Sequence, residues 1–318
     1  MTIRMILLAL CVFCSTAHAG QFPDKPINLI VPYPPGGAVD PIARIYAEKI
    51  TKDWNVPVII LNRPGAGTTI GLNQAARAEP DGHTVVLATA SVTSNAPLYT
   101  SLPYDTLKDF TYISMAGMIP LAFAANPKTP VDNLDELVAT LKRKPGSLTY
   151  ASSGNGTIIH LGGELFKSMA GVDMVHVPYK GSGPSVMACV AGEVNLTLDS
   201  VLLISPQVKA GKLKFIAVAS DKRLAALPDV PAVSEKYPGY FVTSWVGFMG
   251  PAGMPKDVTD AWAKEIAHIA AMPDVQDKLA ALGAQAVSST PDEFRTFVES
   301  EIQKWEKVVK DAHIPPVQ

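Results

Sequence analysis

Short apolar runs separated by turn-forming residues set the rhythm of the first hundred positions. Ile27-Asn28-Leu29-Ile30-Val31, Val56 to Leu61 and Thr84 to Ala88 are rich in β-branched residues, the pattern of strands covered on both faces. Between the first two, Ile42, Ile45, Tyr46 and Ile50 recur at helical spacing. Asp40-Pro41 predicts where that helix starts, with Asp as N-cap accepting from an orphan N–H and Pro at N1 having none to lose. Strands alternating with helices predict a parallel sheet with right-handed crossovers.

From Thr111 the pattern changes. Pro120 to Ala125 is an apolar run stopped by Asn126-Pro127, and Asp135 to Lys144 supports a short helix through Leu137, Val138 and Leu141. Leu148 to Ala151 reads as a strand, followed by a helix through Leu161, Leu165 and Met169. Val175 to Val177, Val194 to Leu198 and Leu213 to Ala219 read as further strands, so this middle segment has a βαβ rhythm of its own. Tyr240 to Met249 then predicts a strand leading back to the first unit. A helix opens at Met254-Pro255 with Val258, Trp262, Ile266 and Ile269 on its apolar face. Thr290-Pro291-Asp292-Glu293 is a capping box for a last helix burying Phe294, Phe297, Ile302, Trp305 and Val309. The expected organisation is one lobe from residues 20–119 plus 240–318 and a second from 120–239, with a cleft between them.

The connections carry the candidate chemistry. Val31 to Pro41 holds Tyr33, Gly36, Gly37, Ala38 and Asp40 in a proline-stiffened turn between strand and helix. Asn62 to Gly71 is a second glycine turn, containing Thr68, and the third strand ends in Thr89-Ala90-Ser91. The middle segment adds Ser152 to Thr157, Pro178 to Pro184 with Tyr179, and Asp199-Ser200. Such turns aim backbone N–H groups beside positive helix ends, which suits an anion, at the sheet edge where open α/β folds bind ligands. Glycine also serves βα turns for backbone reasons alone. Several such turns on two units shift the balance towards an anionic ligand gripped from both ends, each charge–dipole contact contributing roughly 0.3–2 kcal/mol.

Enzymatic readings find little support. Gly65-Ala66-Gly67 followed by Gly71 is GxGxxxG rather than the dinucleotide fingerprint, and Thr89 stands where an acidic residue would end the strand. The sequence lacks GxxxxGK[ST] and GxSxG. Ser153, His160 and Asp199 form a conceivable hydrolase triad, although His160 reads more naturally as a packed or capping residue. His160 and Glu164 stand at i, i+4 without a third metal ligand, and Cys189 lies in an apolar run as an inert core thiol. No cofactor is expected.

Composition narrows the class. Arg4, an apolar stretch from Met5 to Phe13 and Ala17-His18-Ala19 predict a secretory signal over residues 1–19, cleaved after Ala19. Cys11 and Cys14 fall inside it, leaving Cys189 alone and no internal disulfide. The remaining 26 basic and 29 acidic residues give a net charge of −3, with no basic patch for nucleic acid.

Five motifs in order carry a resemblance: V-P-Y-P-P-G-G-A-V-D, N-R-P-G-A-G-T-T-I-G, Y-A-S-S-G-N-G-T, H-V-P-Y-K-G-S-G-P and Asp199. Together with Ser244-Trp245-Val246-Gly247 they make the chain similar to the Bug family, the extracytoplasmic substrate-binding receptors of tripartite tricarboxylate transporters. The resemblance covers nearly all of the mature chain. It implies an α/β, two-lobed periplasmic-binding-protein fold, type II-like, closing on a small carboxylated solute, with membrane transporter subunits as partners. It also implies a monomeric periplasmic receptor rather than an enzyme. The Tyr33 to Asp40 loop would hold ligand through backbone groups and waters. Ser153, Gly154, Asn155, Gly156 and Thr157 would supply the opposite wall, and Asp199 would face the cleft. Thr68-Thr69 stands where a Gly/Asn-rich pair is frequent, a difference expected to bear on selectivity. A sensor module feeding a membrane signalling protein is the alternative for the same ligand.

Overall fold

The computed structural model describes residues 22–36 and 39–317; the signal segment, Gly37 and Ala38 lie outside the described residues. The chain begins with β1 (Ile27–Val31), α1 (Asp40–Trp54), β2 (Val58–Asn62), α2 (Thr69–Ala76), β3 (Thr84–Thr89) and α3 (Ser91–Leu98). β1 pairs in parallel with β2 on one side and β3 on the other. Burial explains their composition: β3 is almost wholly covered, whereas β2 is an edge strand that leaves Ile59 46% exposed.

β4 (Phe110–Ala125) is long enough to serve two half-sheets. Phe110 to Pro120 pairs antiparallel with β9 (Thr243–Pro251), which also borders β3. Leu121 to Ala125 pairs with β7 (Leu196–Ser200) and with β8 (Lys214–Val218). Between lie α4 (Leu134–Arg143), β5 (Thr149–Ser152), α5 (Ile158–Ala170), β6 (Val175–Pro178), α6 (Ser182–Ala191) and α7 (Val201–Lys209). β5 sits in parallel between β6 and β7. The order β2-β1-β3-β9-β4 in the first half is repeated as β6-β5-β7-β4-β8 in the second. The chain passes between halves near Pro120 and again at Val242–Thr243; Val242 N–H donates to Ala219 O and Thr243 aligns with Pro120.

The C-terminal part is α8 (Lys256–Ala270), α9 (Pro273–Ala281), β10 (Gln285–Ala286) and α10 (Pro291–Asp311). The capping box is formed: Thr290 Oγ1 accepts from Glu293 N–H at 3.2 Å and Glu293 Oε2 from Thr290 N–H at 2.8 Å. One core cluster under β1 and α1 includes Ile27, Tyr46 and Trp262, and another in the second half includes Ala151, Cys189 and Ile204. A third runs from Ile30 and Val86 through Trp245 and Phe294 to Phe123 and Tyr150. Each large buried side chain contributes about 1.5–3 kcal/mol, so a fold without described disulfides is held by its core.

Several elements were absent from the sequence reading. The stretch Phe110 to Ile119 joins β4 although Ser114 and Gly117 interrupt its alternation, because register shifts at these points absorb the irregularity. α3 and α7 contain Pro97 and Pro206, and α6 begins Ser182-Gly183-Pro184, so none shows a clean helical pattern.

Candidate functional site

The ends of β1, β2 and β3 converge through side-chain hydroxyls. Tyr33 Oη lies 2.9 Å from Thr89 Oγ1, which lies 2.8 Å from Ser91 Oγ, which lies 2.9 Å from Thr68 Oγ1. Four sequence-predicted residues from three connections thus form one chain of hydroxyls, each able to donate or accept. Thr68 is held in the left-handed region, φ +82, and Asn95 of α3 donates to Gly67 O at 2.8 Å, fixing the turn that presents it.

Asp40 differs from the N-cap expected. It lies in the first turn of α1, where the capping position belongs to Val39. Its buried carboxylate reaches outward instead, accepting from Gly36 N–H at 3.1 Å, Arg44 Nε at 2.8 Å and Asn62 Nδ2 at 3.0 Å. Burial by itself would raise this carboxyl, but the bonds from Arg44, Asn62 and Gly36 outweigh it and hold the group below the usual carboxylate range. Gly36 takes a left-handed φ of +75, open to a residue without a β-carbon. Asn62 also donates to Tyr33 O at 3.0 Å, so it ties the whole loop to the end of β2. Sequence reasoning passed over Asn62; its signal is a polar residue closing an otherwise apolar strand.

In the second half, the loop after β5 is folded tightly on itself. Thr157 caps α5, its Oγ1 accepting from His160 N–H at 3.3 Å and donating to Gly154 O at 2.8 Å. Gly181 N–H donates to Ser153 O at 3.1 Å and Tyr179 N–H to Ser152 O at 3.0 Å, joining the loops after β5 and β6. Tyr179 Oη itself points to Glu193, 3.5 Å away, so its backbone rather than its phenol belongs to this cluster. Asn155 lies between Gly154 and Gly156 and is exposed. Asp199 is the penultimate residue of β7 and is 1% exposed; its carboxylate accepts from Ser200 N–H at 2.7 Å and Ser185 Oγ at 3.3 Å. Burial pushes that carboxyl up to about 6, against the pull of Ser200, Ser182 and Ser185.

The two walls meet. Gly156, φ +74, faces α3 so closely that a β-carbon there would stand 2.9 Å from Leu98 Cδ1. α3 starts at Ser91, so one helix carries a hydroxyl of the first wall and touches the loop of the second.

The Ser153–His160–Asp199 arrangement does not form. His160 Nδ1 is occupied by Gly156 N–H at 3.0 Å, and Asp199 is engaged by Ser185 and Ser200. Cys189 is fully buried and its thiol is pushed up to about 12 by burial, as an inert core thiol should be. Among the described residues, no cluster of metal-ligating side chains occurs and no helix is long and apolar enough to cross a membrane. A cavity of 640 Å³ lies away from these loops, where the chain crosses between halves, lined by Met118, Pro120, Lys222, Arg223 and Phe241 among others. Arg223 is paired there with Glu235 at 2.8 Å.

Duplicated half-sheets joined by two crossings, with polar loops at the strand ends, make the two-lobed arrangement of a solute-binding protein. The family described as tripartite tricarboxylate transporter family receptor matches residues 42–314, and the chain belongs to that family of periplasmic receptors. BugT of Bordetella pertussis is 34% identical over 320 residues, covering 98% of this chain and 98% of BugT. Among solved structures, an R. palustris protein with adipate shares 31% identity at a TM-score of 0.78, over 93% of this chain and 100% of its own. MatC from Rhodopseudomonas palustris with bound malate shares 29% identity at a TM-score of 0.72, over 91% and 100%. The fold is thus the two-lobed periplasmic-binding-protein fold that the sequence motifs implied.

Proposed function

We propose that this receptor captures a small carboxylate, in the first instance an aliphatic dicarboxylate, between the Tyr33–Thr89–Ser91–Thr68 hydroxyl chain and the Ser153 to Thr157 loop, and delivers it to membrane transporter subunits. The observation that carries this reading is the pairing of a hydroxyl-rich wall with a helix-capping loop across the Gly156–Leu98 contact. The nearby guanidinium groups are engaged elsewhere: Arg44 on Asp40, and Arg63 on Gln74 and Asn62 O, bracing its own loop. Anion recognition therefore falls to hydroxyls, N–H groups, helix starts and bridging water, a donor set that tolerates different carbon skeletons. The R. palustris relatives with adipate and malate support a dicarboxylate.

The same reading assigns residues 20–119 and 240–318 to one lobe and 120–239 to the other, closing about the crossings near Pro120 and Thr243. It assigns a monomer, exported through the segment ending at Ala19. The ligand contacts expected at Gly37 and Ala38 fall outside the described residues.

Thermal shift against acetate, malate, adipate, citrate, glutamate and benzoate tests the ligand class. An acid with Kd of about 1 μM, supplied at about 100 μM, adds about 2.7 kcal/mol of stability. The reading predicts such a shift for a dicarboxylate and none for its dimethyl ester. Equal shifts for acid and ester, or none for any acid, contradict it.

A further inference from the structure

Beneath the loop of the second wall lie two histidines that ligand capture, as described, leaves unused. His160, in the first turn of α5, is 7% exposed and accepts Gly156 N–H on Nδ1 at 3.0 Å. His176, on β6, places Nε2 2.6 Å from Ser152 Oγ, and that same oxygen accepts Gly154 N–H at 3.1 Å. The rings are stacked, with centroids 3.9 Å apart and planes 13° from parallel. Two of the loop's backbone N–H groups are therefore held, directly or through one hydroxyl, by a single imidazole stack.

That arrangement constrains protonation. Nδ1 of His160 accepts only while it carries no proton, which places the ring's hydrogen on Nε2. A proton on Nδ1 would face the Gly156 donor, and two imidazolium rings at 3.9 Å would repel. The surroundings agree. Tyr150 of β5 lies 5.0 Å from the His176 ring and donates to Glu164 Oε1 at 2.8 Å. Lys167 pairs with Glu164 at 2.9 Å and with Asp173 at 3.3 Å. Glu164 alone among these favours an imidazolium at His160, and burial with Lys167 opposes it. Burial, His160 and Lys167 push the His176 imidazole down to about 3.

We propose that His160 and His176 are positioning residues for ligand capture: as stacked neutral imidazoles they fix the shape of the Ser153 to Thr157 loop, and capture fails when that hydrogen-bonded support is removed. The proposal rests on the cleft reading above for its link to ligand. It separates from a packing role by the acceptor atom, since an apolar side chain of similar volume would fill the space without holding Gly156.

Amide hydrogen exchange of residues 153–158 in the full mature chain tests it without any ligand. His160→Leu should speed exchange there about tenfold near pH 7.5, the ratio that loss of one hydrogen bond sustains. His160→Asn, whose side-chain oxygen can accept in place of Nδ1, should restore most of the protection and remove its decline towards acid pH. His176→Leu, measured in parallel, should loosen the Gly154 side of the loop, so the outcome does not depend on one variant folding. Adipate affinity, by titration calorimetry, should follow loop protection across the three variants. Wild-type protection and wild-type adipate affinity in either folded leucine variant would overturn the proposal. If adipate fails to bind the wild type, the ligand reading is at fault, and loop exchange still decides the role of the histidines.

Discussion

Asp40 and Asp199 show one residue type serving opposite ends. Asp40 gathers three donors and stays ionised, stitching the first loop to α1 and β2. Asp199 is buried with one short donor, Ser200 N–H, and a longer one, Ser185 Oγ, and is easier to keep neutral. Its carboxyl is raised, so its contribution to stability is present below the ordinary carboxylate range and is lost as pH rises through about 6. Asp199→Asn removes that loss. The variant should gain on the order of 2 kcal/mol near pH 8 and almost nothing near pH 4, measured by urea denaturation at both. A gain that is the same at both pH values would show that packing, not charge, governs the site.

At the scale of elements, what the sequence displayed was local chemistry. β1 and β3 were legible because both faces are covered, which makes them continuous apolar runs. α10 was legible from its capping box and its spacing of Phe294, Ile302 and Trp305. Thr290→Ala should cost about 1 kcal/mol in chemical denaturation, because Glu293 N–H then loses its acceptor at a helix start. An unchanged midpoint would mean that water replaces the cap fully. What escaped was decided by tertiary partners. β4 extends through Ser114 and Gly117 because β9 tolerates the irregular register, and α3 forms around Pro97 because the end of β3 and α10 enclose it. The site divided in the same way. Glycine turns and hydroxyls at strand ends announced the loops, whereas Asn62, Ser152 and His176 gained roles only when strand pairing brought distant residues together. The register that sets Tyr150 beside His176 and Ser152 beside Pro178 is invisible one strand at a time.

The whole molecule is two copies of one strand order joined by β4, which belongs to both, and by the return of the chain at Val242–Thr243. Near the second crossing, Lys304 Nζ donates to Phe241 O at 2.8 Å and pairs with buried Glu301, so α10 braces the point where the chain returns. On the proposed closure, the walls bearing Ser91 and Gly156 would approach or part about this crossing, against the core cluster that runs from Ile30 and Val86 to Phe123 and Tyr150. On this account the family's receptor function needs no reactive group, only two polar walls whose separation depends on what lies between them. Amide exchange with and without a saturating amount of the acid that most stabilises the chain tests this most directly. The account predicts that ligand slows exchange in residues 89–95 and 153–158 together, one segment from each half. Slowing on one half alone, or confined to residues 220–225 and 241–243 around the hinge cavity, would contradict it.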